Sequence, residues 1–384
     1  MAIVIGPEPV ETEPLEFYTS VPVGNGSRLL FDQQEVLPRI FLPIELGRGA
    51  EGQTFQGKVL NLGEPLPSPD RFRPAAIKQI KDILVCDQNG RQRVEIRSIV
   101  ERGAQNLTDI INYHRQRDTG QDKYFFDVLY ADSRFLAVQT QPGLESADEY
   151  LEASTTGQQF YRRIKKIVPE MCRAVQAVHD ADYVYGDIKP AHFLVKTNDE
   201  SFPTKAIDFS FSHRQGEQLR LKAITQDNKV VTVGAPFTEG YAAPEVSQGE
   251  DNQSCDLFAL GKTIYVLLFS ESIDAFGAEL PGDITQYHIW YLIEKLTENE
   301  SSYSAAEKMS LMKNLMGPLA GFFRKAFHHQ PASRFKSAQE MAQYFNDQIF
   351  SLIDQFIDGT YQLSPDHLHH DHRLTADDFE KLAT

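Results

Sequence analysis

The spacing of hydrophobic residues changes near residue 143. Before that point the apolar runs are short and broken by Gly and Pro, which is typical of β-strands. The predicted strands are Ile40–Leu46, Thr54–Leu60, Ala75–Ile80, Tyr124–Tyr130 and Phe135–Gln139. One long helix, from about Arg91 to His114, is predicted between the third and fourth strands, because its apolar residues recur at helical spacing.

Helical spacing dominates after residue 143. The predicted helices are Phe160–Asp180, Cys255–Phe269, Tyr287–Leu296, Ser304–Leu315, Leu319–Phe327 and Ala338–Ile353. A front part rich in strands and a back part rich in helices predict two lobes. The cleft between two such lobes is a favoured place for a small-molecule site.

Neither end of the chain is predicted to have a core of its own. Residues 1–35, rich in Pro, Glu and Gly, predict an extended leader without a core of its own. It is not expected to be a signal peptide, because no basic residue precedes the apolar stretch Ala2–Ile5. Residues 351–384 form a polar tail with a short helix capped by Thr375. The tail contains a cluster of histidines at His367, His369, His370 and His372. They could bind a metal or simply be solvated. A solvated tail is favoured, because no rigid structure is predicted that would hold the four side chains in a tetrahedral geometry.

Composition narrows the class of protein. Of 384 residues, 41% are hydrophobic, which allows a sizeable core. The formal net charge of −16 argues against a nucleic-acid-binding protein, since phosphate attraction needs a positive surface. Cys86, Cys172 and Cys255 lie far apart, which favours a reducing compartment over a disulfide framework. No apolar run is long enough to span a membrane, so we expect a cytoplasmic protein with no membrane partner.

A glycine-rich segment lies between the first two predicted strands. Gly47, Gly49 and Gly52 fit the pattern G-x-G-x-x-G, in which backbone N–H groups approach phosphate oxygens closely. A P-loop would need Lys where Gln53 stands, and a dinucleotide fingerprint would need a helix where a strand is predicted. On this segment alone, a phosphate-binding loop and an ordinary glycine-rich hairpin both remain open.

Lys78 closes the run Ala75–Lys78 at the end of a buried strand. A lysine in an apolar run is costly unless it pairs with an anion. By itself, however, Lys78 is better explained as an edge-strand lysine that points to solvent.

Further along the chain, a series of charged residues lies at the ends of predicted helices and strands. They are Asp187 and Lys189 in a loop before Pro190, then Asp208 at a strand end, Glu245 after Pro244, Asp256 at the start of a helix, and Arg334. With the glycines and Lys78, this ordered set resembles the protein kinases of the eukaryotic-like serine/threonine type over residues 40–347. Several motifs in the right order are far more specific than any one of them.

The resemblance implies a fold and an activity. The fold is α+β and bilobal, with a small β-rich lobe over residues 36–143, an antiparallel sheet plus one helix, and a larger helical lobe over residues 144–350. The activity is transfer of the ATP γ-phosphate to Ser or Thr hydroxyls of a protein substrate, with Mg²⁺ or Mn²⁺.

The resemblance also assigns nucleotide-binding residues. It implies that the three glycines cover the phosphates of ATP and that Lys78 holds the α- and β-phosphates. Val138 aligns with the gatekeeper, and Gln139 to Gln141 align with the hinge that receives adenine. Asp208 matches the aspartate that binds Mg²⁺.

Catalytic and bracing roles follow in the same way. Asp187 matches the aspartate that accepts the substrate hydroxyl proton, and Lys189 matches the lysine that neutralises the transferred phosphoryl group. Thr238 is expected to couple the substrate-docking loop to both residues. Glu245 and Arg334 match a buried ion pair, and Asp256 matches a residue that braces the catalytic loop through backbone N–H groups.

Four positions depart from the family pattern. Gly186 replaces an arginine, Ser210 replaces a glycine, and His192 replaces an asparagine that binds metal. An imidazole suits Mn²⁺ better than Mg²⁺, so His192 is a candidate metal ligand. The helix glutamate that should pair with Lys78 is not securely placed, since Glu95 and Glu101 both lie on the predicted helix.

These departures keep other functions open. An active kinase is favoured because Lys78, Asp187 and Asp208 are all present. The alternatives are a pseudokinase, which binds nucleotide with little transfer, and an interaction protein whose cleft no longer holds nucleotide.

Overall fold

A computed structural model describes much of the chain. The described residues are 18–22, 27–37, 40–43, 45–48, 52–61, 72–80, 83–85, 92–95, 97–132, 134–217, 221–225, 230–233, 238, 240–269, 286–299 and 303–360. Gly49 and the histidines of residues 367–372 lie outside them.

The N-terminal part is built on antiparallel strands and one helix. The elements are β1 (Tyr18–Pro22), β2 (Ser27–Leu37), β3 (Ile40–Pro43), β4 (Glu45–Arg48), β5 (Gly52–Asn61), β6 (Phe72–Ile80), β7 (Ile83–Val85), β8 (Gln92–Glu95), α1 (Arg97–Arg117), β9 (Val128–Ala131) and β10 (Phe135–Gln139). The main sheet has the order β1-β2-β5-β6-β10-β9, with β3 beside β2 and β4 beside β5. Its core side is made by alternate residues such as Ala75 and Ile77, both fully buried, as the strand period of two requires.

Several sequence predictions for this part differ from the structure. The strand predicted at Ile40–Leu46 is two strands, β3 and β4. The segment predicted as an extended leader contains β1 and most of β2, and Leu29 of β2 is fully buried in the sheet core. The strand predicted at Tyr124–Tyr130 begins only at Val128, because Gln121–Tyr124 form a 3₁₀ turn.

The C-terminal part is mostly helical. Its elements are β11 (Leu144–Ser146), α2 (Ala147–Glu152), α3 (Gly157–Asp180), β12 (Tyr183–Val184), β13 (Phe193–Lys196), β14 (Lys205–Ala206), β15 (His213–Arg214), β16 (Leu221–Thr225), β17 (Val230–Val233), α4 (Gln253–Phe269), α5 (Gln286–Leu296), α6 (Ala305–Ala326), α7 (Ala338–Tyr344) and α8 (Ser351–Ile357). A large apolar core joins α3, α4, α5, α6 and α7. A small antiparallel sheet, β11-β13-β14, lies at its edge and leads into Asp208.

The predicted helices are found at the predicted positions, but some of their bounds differ. The two helices predicted on either side of Pro318 are one helix, α6, with that proline inside it. The helix predicted at Ala338–Ile353 consists of α7, a π-helical turn at Phe345–Phe350, and α8. The prediction of a polar tail from residue 351 is wrong at its start, because α8 continues to Ile357 and buries Phe356 in the core. Within the described residues, none of the helices has the length and apolarity that a membrane crossing requires.

Helix α1 begins six residues later than the sequence predicted. Residues 92–95, expected to be helical, are strand β8, which pairs with β7 on one side and β16 on the other. The resulting four-stranded sheet, β17-β16-β8-β7, joins the segment before α1 to the segment that follows Asp208. Backbone pairing with a remote strand therefore overrides the local helical pattern.

Candidate active site

A cleft between the two parts of the fold is lined by residues of both. From the N-terminal sheet come Thr54, Ala76, Lys78, Leu136 and Val138, and from the helical part Leu194, Ala206, Ile207 and Asp208. The cleft continues as far as α1, where Val100, Gly103, Ala104 and Leu107 line it. Thr54, Lys78 and Leu136 lie side by side on β5, β6 and β10.

Lys78 points into this cleft and not to solvent. Its neighbour Ile77 is fully buried in the sheet core, so alternation along β6 turns Lys78 to the opposite face. Its Nζ lies 3.3 Å from Oδ2 of Asp208, and its side chain is 16% exposed. Lys78 therefore has the anionic partner that a lysine in an apolar strand requires.

Asp208 is held in an unusual conformation. Its φ is +61°, in the left-handed region that side chains other than those of Gly, Asn and Asp seldom adopt. Oγ of Ser210 donates a hydrogen bond to its Oδ1 at 2.9 Å. Burial alone would raise the pKa of Asp208, but the charge of Lys78 and the hydrogen bond from the Ser210 hydroxyl outweigh burial and hold the pKa well below its usual range. The carboxylate is therefore ionised at neutral pH.

Asp187 forms a closed hydrogen-bonded group with Lys189 and Thr238. The Lys189 ammonium donates to Oδ2 of Asp187 at 2.9 Å and to Oγ1 of Thr238 at 3.0 Å. The Thr238 hydroxyl donates to Oδ1 of Asp187 at 2.6 Å. Thr238 thus contacts both residues, as the resemblance predicts. Only 8% of the Asp187 side chain is exposed, so these bonds fix its orientation.

The loop that carries Asp187 is braced from below by α4. Both carboxylate oxygens of the buried Asp256 accept backbone bonds, from Tyr185 N at 2.7 Å and Gly186 N at 3.0 Å. His179 lies 2.8 Å from the same carboxylate. The predicted bracing role of Asp256 is confirmed.

Gly186 cannot be replaced by the arginine of the family pattern in this backbone. Its φ is +88°, and a Cβ atom would lie 2.6 Å from the carbonyl oxygen of Phe211. The residue before it, Tyr185, is fully buried and stacks on Phe209, with ring centroids 4.7 Å apart. Its hydroxyl donates to the carbonyl of Ile207. Sequence reasoning missed this tyrosine, whose stacking links the Asp187 loop to the segment of Asp208.

His192 lies between the two aspartates. Its Nδ1 is 2.7 Å from the carbonyl oxygen of Asp187, and because a carbonyl only accepts, Nδ1 carries the hydrogen. Nε2 therefore keeps its lone pair and lies 3.9 Å from Oδ2 of Asp208. Burial lowers the pKa of His192, which keeps the ring neutral and able to bind metal at neutral pH. One nitrogen and one carboxylate facing each other fit a divalent metal, although the described residues contain no cluster of three or more such ligands.

Only one of the two predicted glutamates lies on α1. Glu95 belongs to β8 and not to the helix, and its side chain lies outside the described part. Glu101 is on α1 but is exposed. The other carboxylate of α1, Asp109, accepts hydrogen bonds from Tyr183 and Gln105. The helix glutamate of the family pattern has no counterpart on α1.

Of the residues proposed to contact the nucleotide, some lie in or next to the cleft, and Gln141 is bonded elsewhere. Gly47 and Gly52 lie on β4 and β5, which form an antiparallel pair beside the cleft strand β6. Gln139 lines the cleft, whereas the side chain of Gln141 accepts a hydrogen bond from Lys196 at 3.2 Å.

Glu245 and Arg334 form the predicted ion pair. Arg334 is fully buried, and its Nη1 and Nη2 donate to the two carboxylate oxygens of Glu245 at 2.5 and 2.9 Å. A bidentate pair of this kind satisfies two buried charges at once.

Comparison with known proteins decides the family. The family model for the protein kinase domain matches residues 45–345. The chain belongs to the protein kinase family. It is 26% identical over 321 residues to "Serine/threonine-protein kinase D" of Synechocystis sp., an alignment that covers 83% of this chain and 54% of that protein.

Shorter similarities are found in eukaryotic kinases. The chain is 31% identical over 131 residues to "Putative ribosomal protein S6 kinase alpha-2" of Caenorhabditis elegans, which covers 29% of this chain and 17% of that protein. It is 30% identical over 145 residues to "CDPK-related kinase 1" of Arabidopsis thaliana, covering 38% and 23%. The chain spans from 17% to 54% of the lengths of these relatives.

Proposed function

We propose that this kinase transfers the γ-phosphate of ATP to Ser or Thr hydroxyls of a protein substrate. The observation that carries the proposal is the group formed by Asp187, Lys189 and Thr238, with hydrogen bonds of 2.6 to 3.0 Å. An aspartate fixed in this way is oriented to accept a proton, and the lysine beside it supplies positive charge for a phosphoryl group.

The reaction needs positioning and charge more than covalent chemistry. The substrate oxygen attacks the γ-phosphorus, the bond to the β-phosphate oxygen breaks, and ADP leaves. Asp187 takes the hydroxyl proton, while Lys189 stabilises negative charge on the transferred group. Lys78 orients the α- and β-phosphates, with Gly47, Gly49 and Gly52 over them and Gln139 and Gln141 at the adenine.

A divalent metal bound with ATP would neutralise phosphate charge. Asp208 is the residue proposed to hold it, with Nε2 of His192 as a second ligand. Ser210 bonds one oxygen of Asp208 and so leaves the other directed toward Lys78 and His192. This donor set supports Mn²⁺ beside Mg²⁺ as the working metal.

One observation favours the pseudokinase as second candidate. An imidazole stands at His192, where the family has an amide oxygen. This exchange weakens the usual arrangement for the metal.

The experiment that separates these functions is transfer of radiolabelled phosphate to a generic basic protein. The purified full chain is assayed with Mg²⁺ and with Mn²⁺, beside Asp187→Ala, and nucleotide binding is followed by thermal shift. Transfer that Asp187→Ala abolishes supports the active kinase. Nucleotide binding without transfer identifies the pseudokinase, and no binding at all identifies an interaction protein.

The remaining assignments belong to the same proposal. We propose an N-terminal lobe at 36–143, whose sheet β1 and β2 extend, and a C-terminal lobe at 144–350, which α8 extends to Ile357 before the polar tail. We also propose a cytoplasmic location and no membrane partner. The net charge of −16 argues against nucleic acid as a partner.

A further inference from the structure

Helix α1 touches the backbone of the segment that carries Asp208. A Cβ atom at Gly103 would lie 2.4 Å from the carbonyl oxygen of Phe209 and 2.8 Å from Cα of Ser210. No side chain fits in that space, so only glycine allows the helix and the segment to approach this closely. A glycine inside an apolar helix is the sequence signal for such an approach.

One turn further along α1, a buried side chain bonds to the same segment. Nδ2 of Asn106 donates to the carbonyl oxygen of Ser212 at 2.7 Å and lies 3.3 Å from its hydroxyl. Ser212 is fully buried and Asn106 is 9% exposed. Both the backbone N–H and the hydroxyl of Ser212 bond back to the carbonyl of Phe209, which closes residues 209–212 into a compact turn.

The bond between Asn106 and Ser212 connects α1 to the Asp208 segment directly, with no residue of the N-terminal sheet between them. In protein kinases a lysine on the sheet and a glutamate on the helix must both be in place. Here Lys78 pairs with Asp208. The two carboxylates of α1, Glu101 and Asp109, face solvent or bond to Tyr183 and Gln105.

We propose that Asn106 is a positioning residue that holds α1 in register with the Asp208 segment, through a contact that does not involve Lys78. The proposal rests on the proposed function, since it concerns the segment that presents Asp208. Asn106 does not line the cleft. It acts through the turn at 209–212, whose position sets the carboxylate of Asp208 opposite Lys78.

The direct test is hydrogen exchange measured by mass spectrometry on the full chain. Asn106→Leu removes the donor, and Asn106→Asp keeps the shape but places carboxylate oxygens against the Ser212 carbonyl. In both variants we expect exchange to rise about tenfold in α1 and in residues 208–217 together, the factor that loss of one buried hydrogen bond produces in an opening equilibrium. Gln105→Leu, on the exposed side of the same turn, is the matched control and should leave both segments unchanged.

Kinetics add a second readout. Both Asn106 variants should lower kcat for phosphoryl transfer at least about tenfold with little change in KM for ATP, because the Lys78 and cleft contacts of the nucleotide remain. If the wild-type chain transfers no phosphate, the exchange result still decides the positioning role, so the two failures are distinguishable.

The outcomes that overturn the proposal are specific. If exchange rises in α1 but not in residues 208–217, Asn106 only stabilises its own helix. Exchange that is unchanged in both segments shows that Asn106 holds neither of them. If Asn106→Leu does not fold, Asn106→Asp decides alone, and a wild-type exchange pattern in that variant rejects the role.

Discussion

Thr238 donates its hydroxyl to Oδ1 of Asp187 at 2.6 Å, across 51 residues of sequence. The same hydroxyl oxygen accepts a bond from Lys189 at 3.0 Å. The orientation of the proposed base therefore depends on a residue of the segment that follows β17. Whatever moves that segment also changes the direction in which Asp187 accepts a proton.

Replacing Thr238 with Val should lower kcat for phosphoryl transfer by about 100-fold, because a small misplacement of a reacting group costs about that much. Valine keeps the shape of threonine but cannot bond to Asp187 or Lys189. Binding of ADP, measured by calorimetry, should be unchanged. Thr238→Ser retains the hydroxyl and is the control, with a rate within a few-fold of wild type. Equal rates for Val and Ser at this position would remove Thr238 from the catalytic group.

Lys78→Ala should reduce phosphoryl transfer by orders of magnitude, on the order of 10³-fold, through loss of phosphate orientation. The measurement is kcat/KM for ATP with the full chain. Arg73 lies on the same strand but is exposed, so Arg73→Ala controls for damage to β6. An unchanged rate in Lys78→Ala would show that its contact with Asp208 serves only the fold.

His192→Asn should raise Mg²⁺-dependent transfer and abolish a preference for Mn²⁺. The substitution exchanges a nitrogen lone pair for an amide oxygen, the atom that Mg²⁺ prefers. The ratio of rates in the two metals measures the effect, and Mn²⁺ binding followed by electron paramagnetic resonance provides a readout without turnover. Identical metal ratios in the two proteins would exclude His192 as a ligand.

The raised pKa of Asp251 leads to a prediction of how the free energy of unfolding changes with pH. Its burial and the nearby Asp256 raise its pKa to about 7, and Oδ2 lies 3.9 Å from Nε2 of the buried His213. Because the folded pKa is above the usual value of 3.8, the folded state binds a proton that the unfolded state has released. This contribution to the free energy of unfolding is complete below about pH 4 and is lost as the pH rises through 7.

Asp251→Asn mimics the protonated form and should stabilise the chain at pH 8 by about 2–4 kcal/mol relative to wild type. At about pH 4, below the shifted pKa, the two proteins should unfold at nearly the same denaturant concentration. Glu250 is exposed next to it, and Glu250→Gln is the matched control. A difference in stability between the Asp251→Asn variant and wild type that is the same at both pH values would contradict the shifted pKa.

Local sequence was enough to find the parts of the site that lie in continuous motifs. Asp187 and Lys189 are two residues apart, and Lys78 follows the alternation of β6, so their relative directions depend on short segments. The pair of Glu245 with Arg334 was also predictable, because motif order identifies both residues.

Features that depend on remote partners could not be predicted. Gln92–Glu95 has a helical pattern but is a strand because β16 pairs with it. Asn106 is one polar residue among several on α1, and only the folded chain brings it against Ser212. Leu29 lies in a segment rich in Pro, Glu and Gly, yet pairing of β2 with β5 places it in the core.

The sheet that joins β8 to β16 has a consequence for the order in which the chain folds. Val94 pairs with Ala223, so a strand of the N-terminal lobe can complete its pairing only after about 130 further residues have been synthesised. During synthesis, β7 and β8 can close their own hairpin, but the edge that β16 covers stays open until residues 221–225 have left the ribosome. The start of α1 is therefore completed late, although it lies in the first third of the sequence.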